Sequence, residues 1–231
     1  MNANHLSEQL LLAVKSGKPY FRDMVQLELF PLRDIKNNLN ADSFKLAFWI
    51  NIYNAYFLIM RQEMKLNRPA IFFRRDIKIA GLSLSLDDIE HVILRKNRLK
   101  WSFGYLPNPF SRIAVRRLMV SKRDSRIHFA LNCGAKSCPP IAVYTPDKID
   151  QQLQIATQSF LESETVVWET KKEIATSRLL WWYRGDFGGV PGIRRMLDSN
   201  LPLKISEYSL SFSDYDWSEH LNNFHTDEHF A

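Results

Sequence analysis

Apolar residues recur along this chain in short periodic blocks, and one block differs from the rest. From Phe44 to Met60 they fall on nearly every face of a helical wheel, the pattern of a helix enclosed by protein on all sides. Asp42 or Ser43 stands at the N-cap position, so a central helix reaching about Met64 is predicted. Asn51 and Asn54, at i and i+3, place two amides inside it, where each must find a hydrogen-bond partner. A clamp on a buried loop and a role in a site fit equally well.

The other blocks are shorter. Residues 6–16 read as an amphipathic helix stopped by Gly17, and Phe21–Ile35 as helix or irregular chain before a polar break at 37–40. IKI and LSLS around Ala80-Gly81 read as a hairpin. Ser85 and Asp88 then start a helix with Leu86, Ile89, Val92 and Ile93 inward, on which Glu90 and His91, being adjacent, do not share a face. His91 lies one turn from Arg95 and from Asp87 or Asp88. Thr145 and Pro146 open a helix to about Glu162. Residues 166–176 read as a second hairpin turning at Lys171-Lys172, 189–200 as a last helix, and YSLSFSDYDW as a late strand, with a frayed tail after Trp217.

Together these elements predict an α+β fold, mainly helical, built as a single domain of residues 1–231 around a buried central helix with short β-hairpins at its margin. The sequence is 45% hydrophobic with eight glycines, which excludes a disordered or fibrous class. The net charge of +6 leaves room for an anionic partner, and Arg112, Arg116, Arg117, Lys122, Arg123 and Arg126 form the densest basic run. Aromatic residues do not interleave with it, so it reads as a solvated face and not a nucleic-acid surface. The N-terminus lacks the features of a secretory signal, and no apolar run is long enough to span a membrane, so a cytoplasmic location is expected, with both cysteines resting as thiols.

The densest chemistry lies in RIHFALNCGAKSCPPI, residues 126–141. His128 and Asn132, four apart, share a face whether this stretch is helix or strand. Cys133 and Cys138 bracket the turn GAKS. They are five apart, so this is no thioredoxin-type pair, and an occasional disulfide fits better than a catalytic one. A zinc set of His91, His128, Cys133 and Cys138 has suitable ligand types at a nonstandard spacing.

FWINIYNAY, LDDIEHVILR and SRIHFALNCGAKSCPPI, in this order and followed by the helix after Thr145, resemble the family catalogued as domain of unknown function 547. The likeness runs from about Phe48 to Phe160, giving a family core of 44–162 and an extension, 163–231, packed on it; WWYRGDF resembles a motif often found beyond the core. The resemblance implies no established activity. Relatives that join such a domain to glutaredoxin-like domains associate it with thiol chemistry. Carried onto this chain, its motif positions include Ser137 besides the residues named above.

The expected catalytic residues are therefore Cys133, Cys138, His128, His91, Glu90 and Asn51. Asn54, Arg95, Arg126, Asn132 and Ser137 are expected to bind substrate. Foremost is a cysteine nucleophile, activated by His91 or His128, acting on an acyl or amide group of a small molecule or peptide, with no cofactor or metal. Its rivals are a non-catalytic module that binds a protein partner and a thiol redox or metal-binding domain.

Overall fold

The computed structural model describes residues 2–205 and 207–225, and is mainly helical with two small sheets. Helices α1 (Ala3–Lys15), α2 (Phe21–Leu29) and α3 (Leu32–Asn38) lead into α4, Asp42–Gln62. The predicted central helix is thus present, and every residue from Leu46 to Met60 is buried. Its N-terminus differs from expectation. Ala41 is the N-cap and makes no side-chain bond, while the Asp42 carboxylate accepts the amides of Ser121 and Lys122 at 2.7 and 2.8 Å and ties down a distant loop.

A short helix α5 (Ala70–Phe73) precedes the hairpin of β1 (Ile77–Ile79) and β2 (Leu82–Leu84), which pairs Ile77 with Leu84. Ser85 and Asp88 cap each other reciprocally, Ser85 Oγ taking the Asp88 amide and Asp88 Oδ2 the Ser85 amide. The helix they open is a π-helix, Asp88–Leu94. Helix α6 (Ile113–Arg116), a 3₁₀ turn at Ser125–Phe129 and α7 (Ile149–Glu164) follow. Helix α7 starts three residues after Pro146, with Lys148 at the cap in place of Thr145.

Strands β3 (Val166–Trp168) and β4 (Glu173–Ser177) form the second hairpin, with Lys172 left-handed at its turn. Helices α8 (Arg178–Trp182) and α9 (Gly189–Asn200) precede β5 (Ser209–Ser213), which joins β4 in parallel and completes the sheet order β3-β4-β5. The core has two regions. One surrounds α4; the other gathers Phe129, Phe160, Leu180, Ile193 and Leu197 beneath the second sheet. Among the described residues no helix is long and apolar enough to cross a membrane.

The segment after Trp217, expected to fray, is bonded to the cysteine loop as far as His225. Lys136 donates to the Ser218 carbonyl, His220 to that of Gly134, and Ile141 to that of Asn223.

Candidate functional site

Two asparagines of α4 prepare the site from below. Asn51 Nδ2 donates to the Tyr144 carbonyl at 2.8 Å while its Oδ1 accepts the Tyr144 amide at 2.9 Å. Asn54 does the same one turn later, donating to the Ala130 carbonyl at 2.9 Å and accepting the Asn132 amide at 3.0 Å. Both are fully buried and bonded to backbone as clamps. Asn132 works within its own loop, donating to the Pro139 carbonyl at 2.7 Å and accepting the Gly134 amide at 2.7 Å. His128 and Asn132 accordingly turn to different partners, because the 3₁₀ turn ends between them.

This stapled loop brings Cys133 and Cys138 to a Cα separation of 6.1 Å, and they form a disulfide, a spacing ordinary for such a bond. The expectation of resting thiols is therefore corrected. Cys138 is buried and Cys133 half-buried. Two donors converge on Cys138 Sγ: the Cys133 amide at 3.0 Å and the Tyr215 hydroxyl at 3.1 Å. Burial pushes the Tyr215 phenol far above its usual pKa, so it keeps its proton. Neither sulfur is hydrogen-bonded to an imidazole among the described residues.

The π-helix alters a second expectation. Its wider turn, seen in the Arg95 amide bonding the Glu90 carbonyl five residues back, brings the consecutive Glu90 and His91 side chains to one cavity, with Glu90 Oε1 3.4 Å from His91 Nδ1. Arg95 donates to His91 Nδ1 at 2.8 Å. Arginine has no acceptor, so in this contact Nδ1 is the acceptor, and in the neutral ring the proton sits on Nε2. That nitrogen is buried 3.4 Å from Asp87 Oδ1 without completing a hydrogen bond.

Asp186, on the turn after α8, anchors the network. Its Oδ2 accepts Arg95 Nε at 2.6 Å and His128 Nε2 at 2.9 Å, and its Oδ1 accepts Arg123 at 3.0 Å. Burial opposes its charge, but His128 and Arg95 outweigh it and hold the carboxyl at about 2. Burial lowers the pKa of His128, keeping its ring neutral, with the Nε2 proton given to Asp186. His128 stacks on Tyr183 with ring centres 3.9 Å apart. Tyr183 donates to Glu90 Oε1 at 2.8 Å. Burial raises the Glu90 pKa, yet His91 and Arg95 more than offset it and the carboxylate is ionised.

These groups line a half-open cavity of about 170 Å³, room for roughly six waters. Its polar wall is Asp87, Glu90, His91 and His128, with Lys100 at one side; the disulfide lies in another wall, and Tyr53, Phe72, Trp182, Tyr183, Tyr215 and Trp217 supply aromatic surface. Of the expected site residues, Cys133, Cys138, His128, His91 and Glu90 meet here. The others stand back. Asn51 and Asn54 are clamps, Arg95 aligns His91 and Asp186, Ser137 Oγ accepts the Asp216 amide, and Arg126 pairs with Asp124 and Asp150 near the surface. With both sulfurs bonded to each other the zinc set loses its thiolates, and among the described residues no group of three or more His, Cys, Asp or Glu is placed to hold a metal.

A family model described as protein of unknown function, DUF547, matches residues 37–161, more than half of the 231 residues. The chain belongs to this family. No curated protein and no solved structure matches it. The DUF547 segment supplies the clamps, both cysteines, the π-helix and His128. Trp182, Tyr183, Asp186, Tyr215 and Trp217 lie beyond it, and sequence reasoning did not single them out as site residues. WWYRGDF was the one signal for the first three; Tyr215 and Trp217 had none, since nothing in YDW marks a return to a loop eighty residues earlier.

Proposed function

We propose that this protein is a thiol–disulfide exchange enzyme acting on a small molecule through Cys133 and Cys138. The observation that carries the reading is the pair of donors on Cys138 Sγ at the wall of a half-open cavity. Hydrogen bonds to a thiolate favour the charged form. In the reduced protein the more exposed Cys133 thiolate attacks a small disulfide, RSSR, forming the Cys133–S–SR mixed disulfide and expelling RS⁻. The leaving thiolate takes the Cys138 proton. Cys138 S⁻, held by the Cys133 amide and the Tyr215 hydroxyl, then attacks Cys133 Sγ, closes the observed disulfide and expels the second RS⁻. A thiol reductant resets the pair.

A cysteine nucleophile directed at an acyl or amide group has less support, since such chemistry draws on an imidazole beside the sulfur and the partner of both sulfurs is instead Tyr215. The experiment is turnover of 2-hydroxyethyl disulfide with dithiothreitol as reductant, followed by intact-mass analysis. Wild type is expected to outpace dithiothreitol alone, Cys138→Ser to accumulate one mixed disulfide at Cys133, and Cys133→Ser to accumulate none. Wild type that fails to exceed the uncatalysed rate overturns the reading.

A further inference from the structure

The charges around the cavity are unevenly arranged. Asp87 is matched by Lys100, whose Nζ lies 2.9 and 3.0 Å from its two oxygens. Arg95, which is buried, gives its Nε to Asp186 and a terminal nitrogen to His91, and so acts on Glu90 through space without bonding it. Among the described residues no lysine or arginine is bonded to Glu90 at the wall; it accepts the hydroxyls of Tyr183 at 2.8 Å and Tyr53 at 3.5 Å and lies 3.4 Å from His91 Nδ1. Beside it the buried His91 Nε2 also completes no hydrogen bond. The same cavity is lined by Trp182, Tyr215 and Trp217, mutually packed at centre distances of 4.7 to 5.6 Å, with Arg68 over the Trp217 ring at 5.2 Å. Aromatic faces attract cations, and desolvated ones do so more strongly.

We infer that the cavity selects a cationic substrate, a small disulfide or thiol carrying an ammonium group, with the ammonium held by Glu90 among these rings and the sulfur directed to Cys133. This rests on the exchange reading above and adds the substrate's charge class. The size fits: room for about six waters admits a short aminoalkyl disulfide but not a folded peptide.

The test compares three disulfides of similar length on the reduced full-length protein: cystamine, 2-hydroxyethyl disulfide and 3,3′-dithiodipropionate. Each rate is divided by that of free dithiothreitol with the same compound. Cystamine is expected to exceed the dianion at least tenfold on this scale, and Glu90→Gln to bring that ratio near unity. Should the variant not fold, the wild-type ratio alone decides. In parallel, tryptophan fluorescence of the oxidised protein is titrated with 1,6-diaminohexane and suberate, chain analogues that cannot exchange. Selective binding of the diamine supports cation selection independently of redox chemistry. Catalysed exchange with equal normalised rates overturns the charge selection and leaves the exchange reading standing. Diamine binding without catalysed exchange overturns the exchange reading and confines the inference to recognition of the ammonium group.

Discussion

Replacing Asn54 by alanine tests how the site is held in place. The side chain is fully buried and makes two bonds of good length, to the Ala130 carbonyl and from the Asn132 amide. The substitution leaves both backbone groups without this partner in a place water does not reach. Each such group costs about 1–3 kcal/mol, so the variant is expected to lose roughly 2–6 kcal/mol, a large share of the 5–15 kcal/mol typical of a whole domain. For a chain of this size about 3 kcal/mol corresponds to a melting point lower by roughly 6–12 °C. Urea unfolding of the oxidised protein, followed by far-ultraviolet circular dichroism, reads the change as a shift in midpoint at constant slope. Asn54→Asp should cost at least as much, because a carboxylate oxygen then faces the Ala130 carbonyl. Gln158→Ala, on the exposed face of α7, is the control and should stay within about 0.5 kcal/mol. A loss below about 1 kcal/mol for Asn54→Ala refutes the clamp.

Asp186 predicts an acid response. Its folded pKa of about 2 lies below the ordinary carboxyl value near 4, so its contribution is complete above about pH 4 and disappears as pH falls through about 2. Asp186→Asn should flatten the stability curve in that window and lower stability at pH 7 by roughly 3–5 kcal/mol, because Arg95 is left buried without its carboxylate; stability–pH curves of both proteins check this. Gly104→Ala probes the same node from outside. Gly104 is left-handed (φ +91°), and a Cβ there would meet Asp186 Oδ1 at 2.6 Å, so the variant should lose more than about 1 kcal/mol by urea unfolding. A melting point equal to wild type counts against the close packing of the 104 and 186 turns.

Much of this architecture was legible in the sequence because apolar periodicity reports burial directly. A stretch such as 46–60, apolar on every face, has only one comfortable place, and the asparagines within it had to be satisfied there. The site was less legible for three reasons. Helical spacing assumes 3.6 residues per turn, so adjacent Glu90 and His91 were assigned to separate faces, and nothing in DDIEHVIL signals the wider π turn. Ion pairs that span the chain leave no local trace: Arg95 and Arg126 look alike in sequence, yet one is buried on Asp186 and the other lies near the surface. The parallel pairing of β5 with β4, and the run of bonds from Ser218 to His225 along the cysteine loop, are long-range choices made by backbone groups that carry no sequence signature.

That returning segment divides responsibility within the site. The matched stretch, 37–161, owns the sulfurs and the imidazoles, whereas Tyr215 and Trp217 arrive from a part of the chain that the family description does not reach. The lining of the cavity is thus shared: Glu90, the histidines and the cysteines come from the matched stretch, and the Tyr215 hydroxyl and part of the aromatic wall come from outside it. An excised 37–161 fragment would leave the cysteine loop without the backbone bonds from Ser218, His220 and Asn223 and the cavity without Tyr215 and Trp217.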